Sequence, residues 1–190
     1  MHAVIIRKKI KKILTSGLYG HSIAVESTAR EIAKRFGYDE EKCAIASLLH
    51  DISKMIDEAE MLEFAREKHL KIDLFMKESP KLLHGKISEY LAEHSFAIKD
   101  RSILLAIKNH TFGRPRMCNI EKAVYVADHI EPGRKYRGLK KIRKVAKTDI
   151  NGAITLIAEE MIKYLRKRNL PVHIRTIVTR DYYLTNGANK

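Results

Sequence analysis

The amino-acid sequence predicts an all-α protein. Apolar residues recur at spacings of three and four over most of the chain, as on one face of a helix, and the strict alternation of a half-buried strand is scarcely found. With 190 residues the chain is long enough to bury one hydrophobic core without accessory crosslinks. We expect a single compact helical bundle over residues 1–190, with its core at about 15–168 and a C-terminal segment at 169–190.

The first three predicted helices lead from the amino terminus to the most apolar part of the chain. A short helix covers residues 3–15. The second carries an apolar stripe that begins at Val25 and that Gly37 ends as a C-cap, and His21 lies four residues before the stripe on the same face. The third helix, about residues 40–55, is apolar nearly all round, so we expect it to be central.

The later predicted helices keep the same spacing. An amphipathic helix is expected over residues 57–69, and further helices carry His84, His110 and Asp128 on apolar faces. A long final helix should follow an N-cap at Thr148 and, because it has no inward polar residue, should serve as scaffold. Its core-facing residues are Ile150, Ile154, Ile157, Met161 and Leu165.

The adjacent residues His50 and Asp51 close the apolar run of residues 43–49. A run of this kind belongs in the interior, where an imidazole and a carboxylate without partners are costly to bury. A metal ion that accepts both ligand types would remove this cost. The pair therefore indicates a metal site, provided that other ligands converge on it.

Several helical segments direct one or two polar side chains toward the interior. Taken singly, such a histidine is more often satisfied by hydrogen bonds, and an aspartate is as readily held in a salt bridge. Taken together, the set is satisfied most simply by one or two metal ions. Its members are His21, His50, Asp51, His84, His110 and Asp128.

The charge of the chain indicates a polyanionic partner. The formal net charge is +14, which attracts nucleic acid, anionic lipid or a multiply phosphorylated small molecule. The basic residues are not interleaved with the aromatic residues of an RNA-recognition sheet. Charge alone does not choose among these partners.

Cysteine usage and hydropathy predict a cytoplasmic protein. The two cysteines, Cys43 and Cys118, are too few for a disulfide scaffold and do not have metal-binding spacing. No apolar run approaches the roughly 20 residues of a membrane span, and the basic amino-terminal segment lacks the continuous apolar stretch of a signal peptide. We therefore expect no membrane span.

The order of the polar residues resembles a known family. His21, then His50-Asp51, then Asp128 resembles the HD-domain metal-dependent phosphohydrolases, which are named after the adjacent pair. Over roughly residues 15–168 the chain is similar to their YqeK-type branch, the bacterial symmetrical diadenosine tetraphosphate hydrolases. The motifs that carry the resemblance are Gly20-His-Ser22, Leu48-Leu-His-Asp-Ile-Ser-Lys54, His84-Gly85, Asn109-His-Thr111 and Ala127-Asp-His-Ile-Glu-Pro-Gly-Arg134.

The resemblance implies a fold, a reaction and a metal centre. The fold is an HD-domain-like helical bundle, and the reaction cleaves the central phosphoanhydride of diadenosine tetraphosphate to two ADP. The metal is iron, as one or two ions, although a thiolate-free donor set also suits manganese, cobalt or zinc. The core ligands would be His21, His50, Asp51 and Asp128, and Asp51 could bridge two ions. His84 and His110 would complete a second metal site or hold substrate phosphate.

Residues near this centre are candidates for catalysis and for binding phosphate. Asp51, Lys54 and Asp128 are the candidate catalytic residues, because Lys54 lies on the same helical face as Asp51 and its ammonium could reach a phosphate. Arg134 offers a bidentate fork for phosphate. The full set of candidate substrate contacts is Lys54, His84, His110, Thr111, His129, Arg134, Arg175 and Thr176.

The sequence leaves several alternatives open. The C-terminal segment is expected either to fold over the nucleotide or to be a solvated tail. The enzyme could instead be another nucleotide phosphohydrolase on the same scaffold, such as a nucleotidase or a phosphodiesterase, or the chain could be a non-catalytic module that binds polyanions through its charge. The expected partner is a small-molecule nucleotide, nucleic acid is not required, and the oligomeric state stays open, a homodimer included.

Overall fold

The computed structural model describes residues 2–187, and this part of the chain is helical with no strand. The all-α prediction is therefore confirmed. The α-helices are α1 (Ala3–Ile10), α2 (Ser16–Phe36), α3 (Glu40–Leu49), α4 (Glu58–Glu67), α5 (Leu74–Glu78), α6 (His84–His94), α7 (Arg101–Asn109), α8 (Asn119–Ile130), α9 (Leu139–Val145), α10 (Ile150–Lys167) and α11 (Ile174–Gly187). Two 3-10 helices lie at Ile52–Met55 and Pro80–Leu83. Among the described helices, none is both long and apolar enough to cross a membrane.

The helix α3 is central, as its composition predicts. It packs against α1, α2, α7 and α8, and every residue from Cys43 to Leu49 is buried. The helix α8 packs against α2, α7 and α10 and thereby completes the main core. A second, smaller apolar cluster lies among α4, α5 and α6 and includes Met61, Met76 and Leu83. This arrangement brings the ends of α3 and α7 next to the last turn of α8.

Two predicted helices end earlier than expected. The first helix ends at Ile10 rather than near residue 15, and α3 ends at Leu49 rather than at residue 55. At the end of α3, the His50 imidazole donates from Nδ1 to the Ser47 carbonyl, which in a continuing helix would accept the Asp51 amide. Asp51 accordingly leaves the helical region, with φ −112° and ψ 14°.

The carboxyl-terminal part also differs from the prediction. The N-cap of α10 is Asp149, whose Oδ1 accepts the Gly152 amide, and not Thr148. The segment beyond α10 forms a regular helix, α11, packed against α10. Its buried face includes Thr176, Thr179 and Tyr183 at spacings of three and four. Because two of these three residues are threonines, the sequence does not show the spacing of apolar residues that predicts a helix.

The helices α6 and α7 approach each other closely at Gly85. A Cβ atom at this position would lie 2.8 Å from the Lys108 carbonyl oxygen on α7, so no larger residue fits without displacing the backbone. Gly85 follows His84, and Lys108 precedes His110 by two residues. The close contact therefore brings these two histidines together.

Substitution Gly85→Ala should separate α6 from α7. We expect the free energy of unfolding to fall by about 1–3 kcal/mol, because the added methyl group meets backbone rather than a flexible side chain. Urea unfolding followed by circular dichroism measures the change. The matched control is Gly17→Ala on α2, where the new Cβ meets nothing within 4 Å and stability should not decrease. An unchanged urea midpoint in Gly85→Ala would show that the contact does not constrain the packing.

The N-cap of α7 gives a stability contribution that depends on pH. The Asp100 carboxylate pairs with Lys42 Nζ at 2.8 Å and accepts the amides of Ser102 and Ile103. The Lys42 and Ser102 side chains are the main cause of a pKa for Asp100 lowered to about 2. Since this folded-state pKa lies below the value in an unfolded chain, the contribution is complete above about pH 4 and is lost as the pH falls toward 2.

Substitution Asp100→Asn keeps a good capping residue and removes only the charge. We expect the variant to be less stable than the wild type at pH 7, and the difference to narrow as the pH falls below about 4. Urea unfolding of both proteins at pH 7, 4 and 3 measures this. A difference that stays constant over that range would contradict the assignment.

Candidate active site

Polar side chains from five helical segments converge at the centre of the bundle. Asp51 lies in the middle, with its Oδ1 at 3.3 Å from His110 Nε2 and 3.5 Å from His84 Nε2. Its Oδ2 is 3.2 Å from His50 Nε2. The six converging residues are those that the sequence selected: His21 on α2, His50 and Asp51 after α3, His84 at the start of α6, His110 after α7 and Asp128 on α8.

Three of the histidines are held in the same way. His50, His84 and His110 are each the C-cap of a helix or 3-10 helix, with αR backbone angles. The Nδ1 atom of each lies 2.6–2.7 Å from the carbonyl oxygen three residues earlier. Because a carbonyl can only accept, Nδ1 carries the proton, and the Nε2 lone pair of each ring faces the centre.

The inward lone pairs conflict with one another unless a cation lies among them. His84 Nε2 and His110 Nε2 are 3.0 Å apart, although neither carries a proton in these tautomers. Three further buried atoms have no hydrogen bond of acceptable geometry: His21 Nε2, His50 Nε2 and Asp51 Oδ1. Buried polar atoms are rarely left in this state. The donor set therefore fits a bound metal ion.

The electrostatics keep the two carboxylates and His84 in the form that metals bind. Burial would raise the pKa of Asp51, but His50 and His110 hold it well below the usual value, so the carboxylate is ionised. Burial and the neighbouring His110 lower the pKa of His84 to about 3, so its imidazole is neutral at pH 7. Burial would likewise raise the pKa of Asp128, but His21 together with His50, His129 and Arg134 keeps it well below the usual value. Neutral imidazoles and ionised carboxylates are metal ligands.

The geometry offers more than one grouping of ligands. Two triads share Asp51, one with His21 and His50 and the other with His84 and His110. A third triad joins His50 and His110 to Asp128. In each triad the ligand atoms lie within 4.8 Å of one another. Asp51 would therefore be available to either group of ligands when metal is bound.

Two cations border the centre. Lys54 Nζ is 2.6 Å from Asp51 Oδ2, and the side chain is 40% exposed. Arg134 donates from Nη2 to Asp128 Oδ1 and from Nε to the Asp128 carbonyl at 2.7 Å, with 38% of its side chain exposed. Both residues are thus in contact with candidate ligands on one side and with solvent on the other. They are placed to bind an anion that approaches the metal.

The centre opens into a cleft of about 740 Å³. Most of the predicted substrate contacts line it, namely Lys54, His84, His110, Thr111, His129 and Arg134, together with Asp128. The cleft is also lined by α10, the helix that the sequence assigned to scaffold alone, through Ile157, Met161 and Tyr164. A cleft of this size is large enough for a nucleotide as well as its phosphates.

Arg175 and Thr176 are not among the residues that line this cleft. The Arg175 guanidinium instead donates to Asn109 Oδ1 and to the Gly113 carbonyl, and Thr176 is buried. The reason is that α11 packs against the segment that follows α7, where Phe112 stacks on His173 at a centroid distance of 4.2 Å. Both residues thus have neighbours within the protein, and their role as substrate contacts stays a prediction.

Glu131 is a site residue that the sequence pattern did not predict. It is 4% exposed, and its Oε1 lies 3.4 Å from His21 Nδ1. Its other oxygen accepts the Gly133 amide within the turn that leads to Arg134. A carboxylate behind a ligating histidine sets the tautomer and orientation of the ring. The only sequence signal was the position of Glu131 inside the Glu-Pro-Gly-Arg motif.

Substitution Glu131→Gln should weaken metal binding. We expect affinity to fall by about 10- to 100-fold, because the amide no longer provides the negative charge that supports His21. Competition with a chromophoric chelator measures the affinity without any assay of activity. The control is Glu67→Gln on the exposed surface of α4, which should bind metal as the wild type does. If Glu131→Gln bound metal as tightly as the wild type and had an unchanged circular dichroism spectrum, a role of Glu131 in supporting His21 would be excluded.

Comparison with known proteins identifies relatives of this site and fold. The HD domain family model matches residues 18–133. A symmetrical bis(5'-nucleosyl)-tetraphosphatase from Halalkalibacterium halodurans is 38% identical over 175 residues, which cover 92% of this chain and 93% of the relative. A protein of the same name from Bacillus subtilis is 39% identical over 183 residues, or 94% of this chain and 95% of the relative.

A solved structure agrees with these matches. The crystal structure of an HD superfamily hydrolase from Clostridium acetobutylicum, described as involved in NAD metabolism, superposes with a TM-score of 0.91 at 33% identity. The superposition covers 95% of this chain and 96% of that chain. The resemblance found in the sequence is therefore confirmed. The chain belongs to the HD-domain family and, within it, to the family of symmetrical bis(5'-nucleosyl)-tetraphosphatases.

Proposed function

We propose that this phosphohydrolase cleaves the central phosphoanhydride of diadenosine tetraphosphate and releases two molecules of ADP. The observation that carries the proposal is the convergence of four imidazole nitrogens and two carboxylates at the floor of a cleft bordered by Lys54 and Arg134. The names of the relatives from two bacterial species support the choice of substrate. In the reaction, the oxygen of one water forms a bond to a central phosphorus atom as the bridging P–O bond breaks, so both products are ADP.

The metal centre is proposed to hold one or two iron ions, and manganese, cobalt or zinc would suit the same donors. The core ligands are His21, His50, Asp51 and Asp128, with His84 and His110 available to a second ion. When bound, such a metal supplies Lewis acidity toward phosphoryl oxygens and lowers the pKa of water toward neutrality. Asp51 and Asp128 serve as ligands rather than as general bases, because their pKa values lie well below the usual range.

The residues beside the centre stabilise the charge that develops on phosphate. Lys54 and Arg134 each have one side open to the cleft and can transfer hydrogen bonds from Asp51 and Asp128 to phosphoryl oxygens. Charges fixed in place before the reaction stabilise a transition state more effectively than reorganising water does. The Thr111 hydroxyl, 3.1 Å from His84 Nε2, is a further donor at the same wall.

The proposed enzyme acts on a free nucleotide in the cytoplasm. Cys43 and Cys118 are free thiols in the structure, which agrees with a reducing compartment. The rival interpretation, a module that binds polyanions through charge alone, gives no reason for four histidines and two carboxylates to be buried together. A different nucleotide phosphohydrolase on this site is distinguished from our proposal by its products.

Metal-loaded protein should convert diadenosine tetraphosphate to ADP alone. In water enriched in ¹⁸O, one of the two ADP molecules should carry the label in its β-phosphate, as measured by mass spectrometry. AMP together with ATP would contradict cleavage at the centre. Deoxynucleotides and cyclic dinucleotides should be hydrolysed with lower kcat/KM, and a preference for either would favour the alternative phosphohydrolase.

Substitution Asp51→Asn should lower kcat/KM by at least about 100-fold and reduce bound metal, because the central ligand loses its charge. Elemental analysis and ADP release measure the two effects. The control is Asp57→Asn, an exposed aspartate six residues further along, which should leave both unchanged. Full hydrolysis by Asp51→Asn would exclude the proposed centre.

A further inference from the structure

We propose that the face of α10 formed by Ile157, Met161 and Tyr164 is the subsite for the base of one adenosine of the substrate. The inference rests on the proposed function, and it assigns a specific ligand contact to a helix with no residue in the metal centre. It follows from the shape of the cleft, from the exposure of its apolar wall and from the charges at its rim.

The lining of the cleft has two chemically distinct parts. One part is polar and includes Lys54, Arg134 and ligands of the metal centre, and the other is the apolar face of α10. Ile157, Met161 and Tyr164 are spaced by four and three residues, so they lie on one face of that helix. A diphosphate alone has no apolar group that could pack against this face. A nucleoside diphosphate has both parts, a charged end for the metal and an apolar ring for the wall.

The apolar wall is anchored in the core but is left uncovered at the cleft. Ile157 is 2% exposed, whereas Tyr164 is 51% exposed despite its large ring. The Arg168 guanidinium lies 4.7 Å from the centroid of the Tyr164 ring and holds it in place. A positioned and exposed aromatic ring beside a phosphate site is suited to stacking on a nucleobase.

A second tyrosine, Tyr136, also lines the cleft. Tyr136 is 38% exposed, and its hydroxyl donates to the His129 carbonyl at 2.9 Å. His129 directly follows the candidate ligand Asp128, so the ring is held at a defined place relative to the metal centre. Both residues line the same cleft as the apolar face of α10.

The rim of the cleft matches the charge of the ligand. Arg137, Lys163 and Lys167 line the same cleft as the apolar wall. Glu160 is also present and pairs with Lys163 at 2.9 Å, which leaves the rim basic as a whole. A basic rim around an apolar wall favours an anion with an aromatic group over an apolar peptide or a second apolar surface.

The test compares two ligands that share a diphosphate and differ in the nucleoside. Isothermal titration calorimetry on metal-loaded protein measures binding of ADP and of inorganic pyrophosphate. We expect Tyr164→Ala to weaken ADP binding by about 10-fold and to leave pyrophosphate binding unchanged, since only ADP has a base to stack. Tyr164→Phe keeps the ring and should bind ADP as the wild type does. The control is Leu74→Ala, an apolar residue that is 70% exposed on α5 and does not line the cleft.

The outcomes separate this proposal from the proposed function. If Tyr164→Ala lowered the affinity for ADP and for pyrophosphate equally, or lowered neither, the proposed subsite would be overturned. Size-exclusion chromatography of the same samples tests the other occupant of this face, a second copy of the chain. A wild-type dimer that Tyr164→Ala dissociates, with ADP binding unchanged, would likewise overturn it. Because the assay measures binding, the subsite can be established even if the protein does not hydrolyse diadenosine tetraphosphate. If it does hydrolyse this substrate, Tyr164→Ala should raise KM rather than lower kcat.

Discussion

The metal centre depends on one repeated interaction, the hydrogen bond from a histidine Nδ1 to the carbonyl oxygen three residues earlier. His50, His84 and His110 all make it from the C-cap position of a helix. The bond satisfies a carbonyl at the helix end, where backbone acceptors lack helical partners, and it also directs the Nε2 lone pair toward the centre. One hydrogen bond therefore both ends a helix and directs a ligand atom inward in this fold, and the resulting cluster of lone pairs fits a bound cation.

This geometry explains why the candidate ligands could be predicted from the sequence although the helix boundaries could not. Spacings of three and four placed His110 on an inward face, and the apolar run before it placed His50 in the interior, but both lie one residue beyond their helices. Their backbone angles remain αR, so the helical face extends through the C-cap residue. The backbone of Asp51 is no longer helical, so its position on a helical face does not explain why it reaches the centre. It reaches the centre because it is adjacent to His50 and buried.

Other features depend on contacts between distant segments, which no local pattern reports. The fold of α11 was hidden by buried threonines, whose hydroxyls are satisfied inside the protein, as Thr179 is by the Phe112 carbonyl at 3.1 Å. Glu131 was missed because its partner, His21, is far away in sequence. The exposed Tyr164 was not predicted as a site residue, because an apolar stripe along a helix predicts packing in the core. A stripe that continues along the helix into a cleft has the same spacing, so the sequence does not distinguish the two cases.

The contact between α11 and the segment after α7 has a consequence for the order in which the protein is made. The six candidate ligands are all present once residue 128 has been synthesised. Arg175, which binds Asn109 and the Gly113 carbonyl on either side of the His110–Phe112 segment, comes more than 40 residues later. A nascent chain on the ribosome therefore has all its ligands before it has the helix that holds one of them in place. A chain cut short before α11 would keep all six candidate ligands and would lack the two contacts that Arg175 makes beside His110.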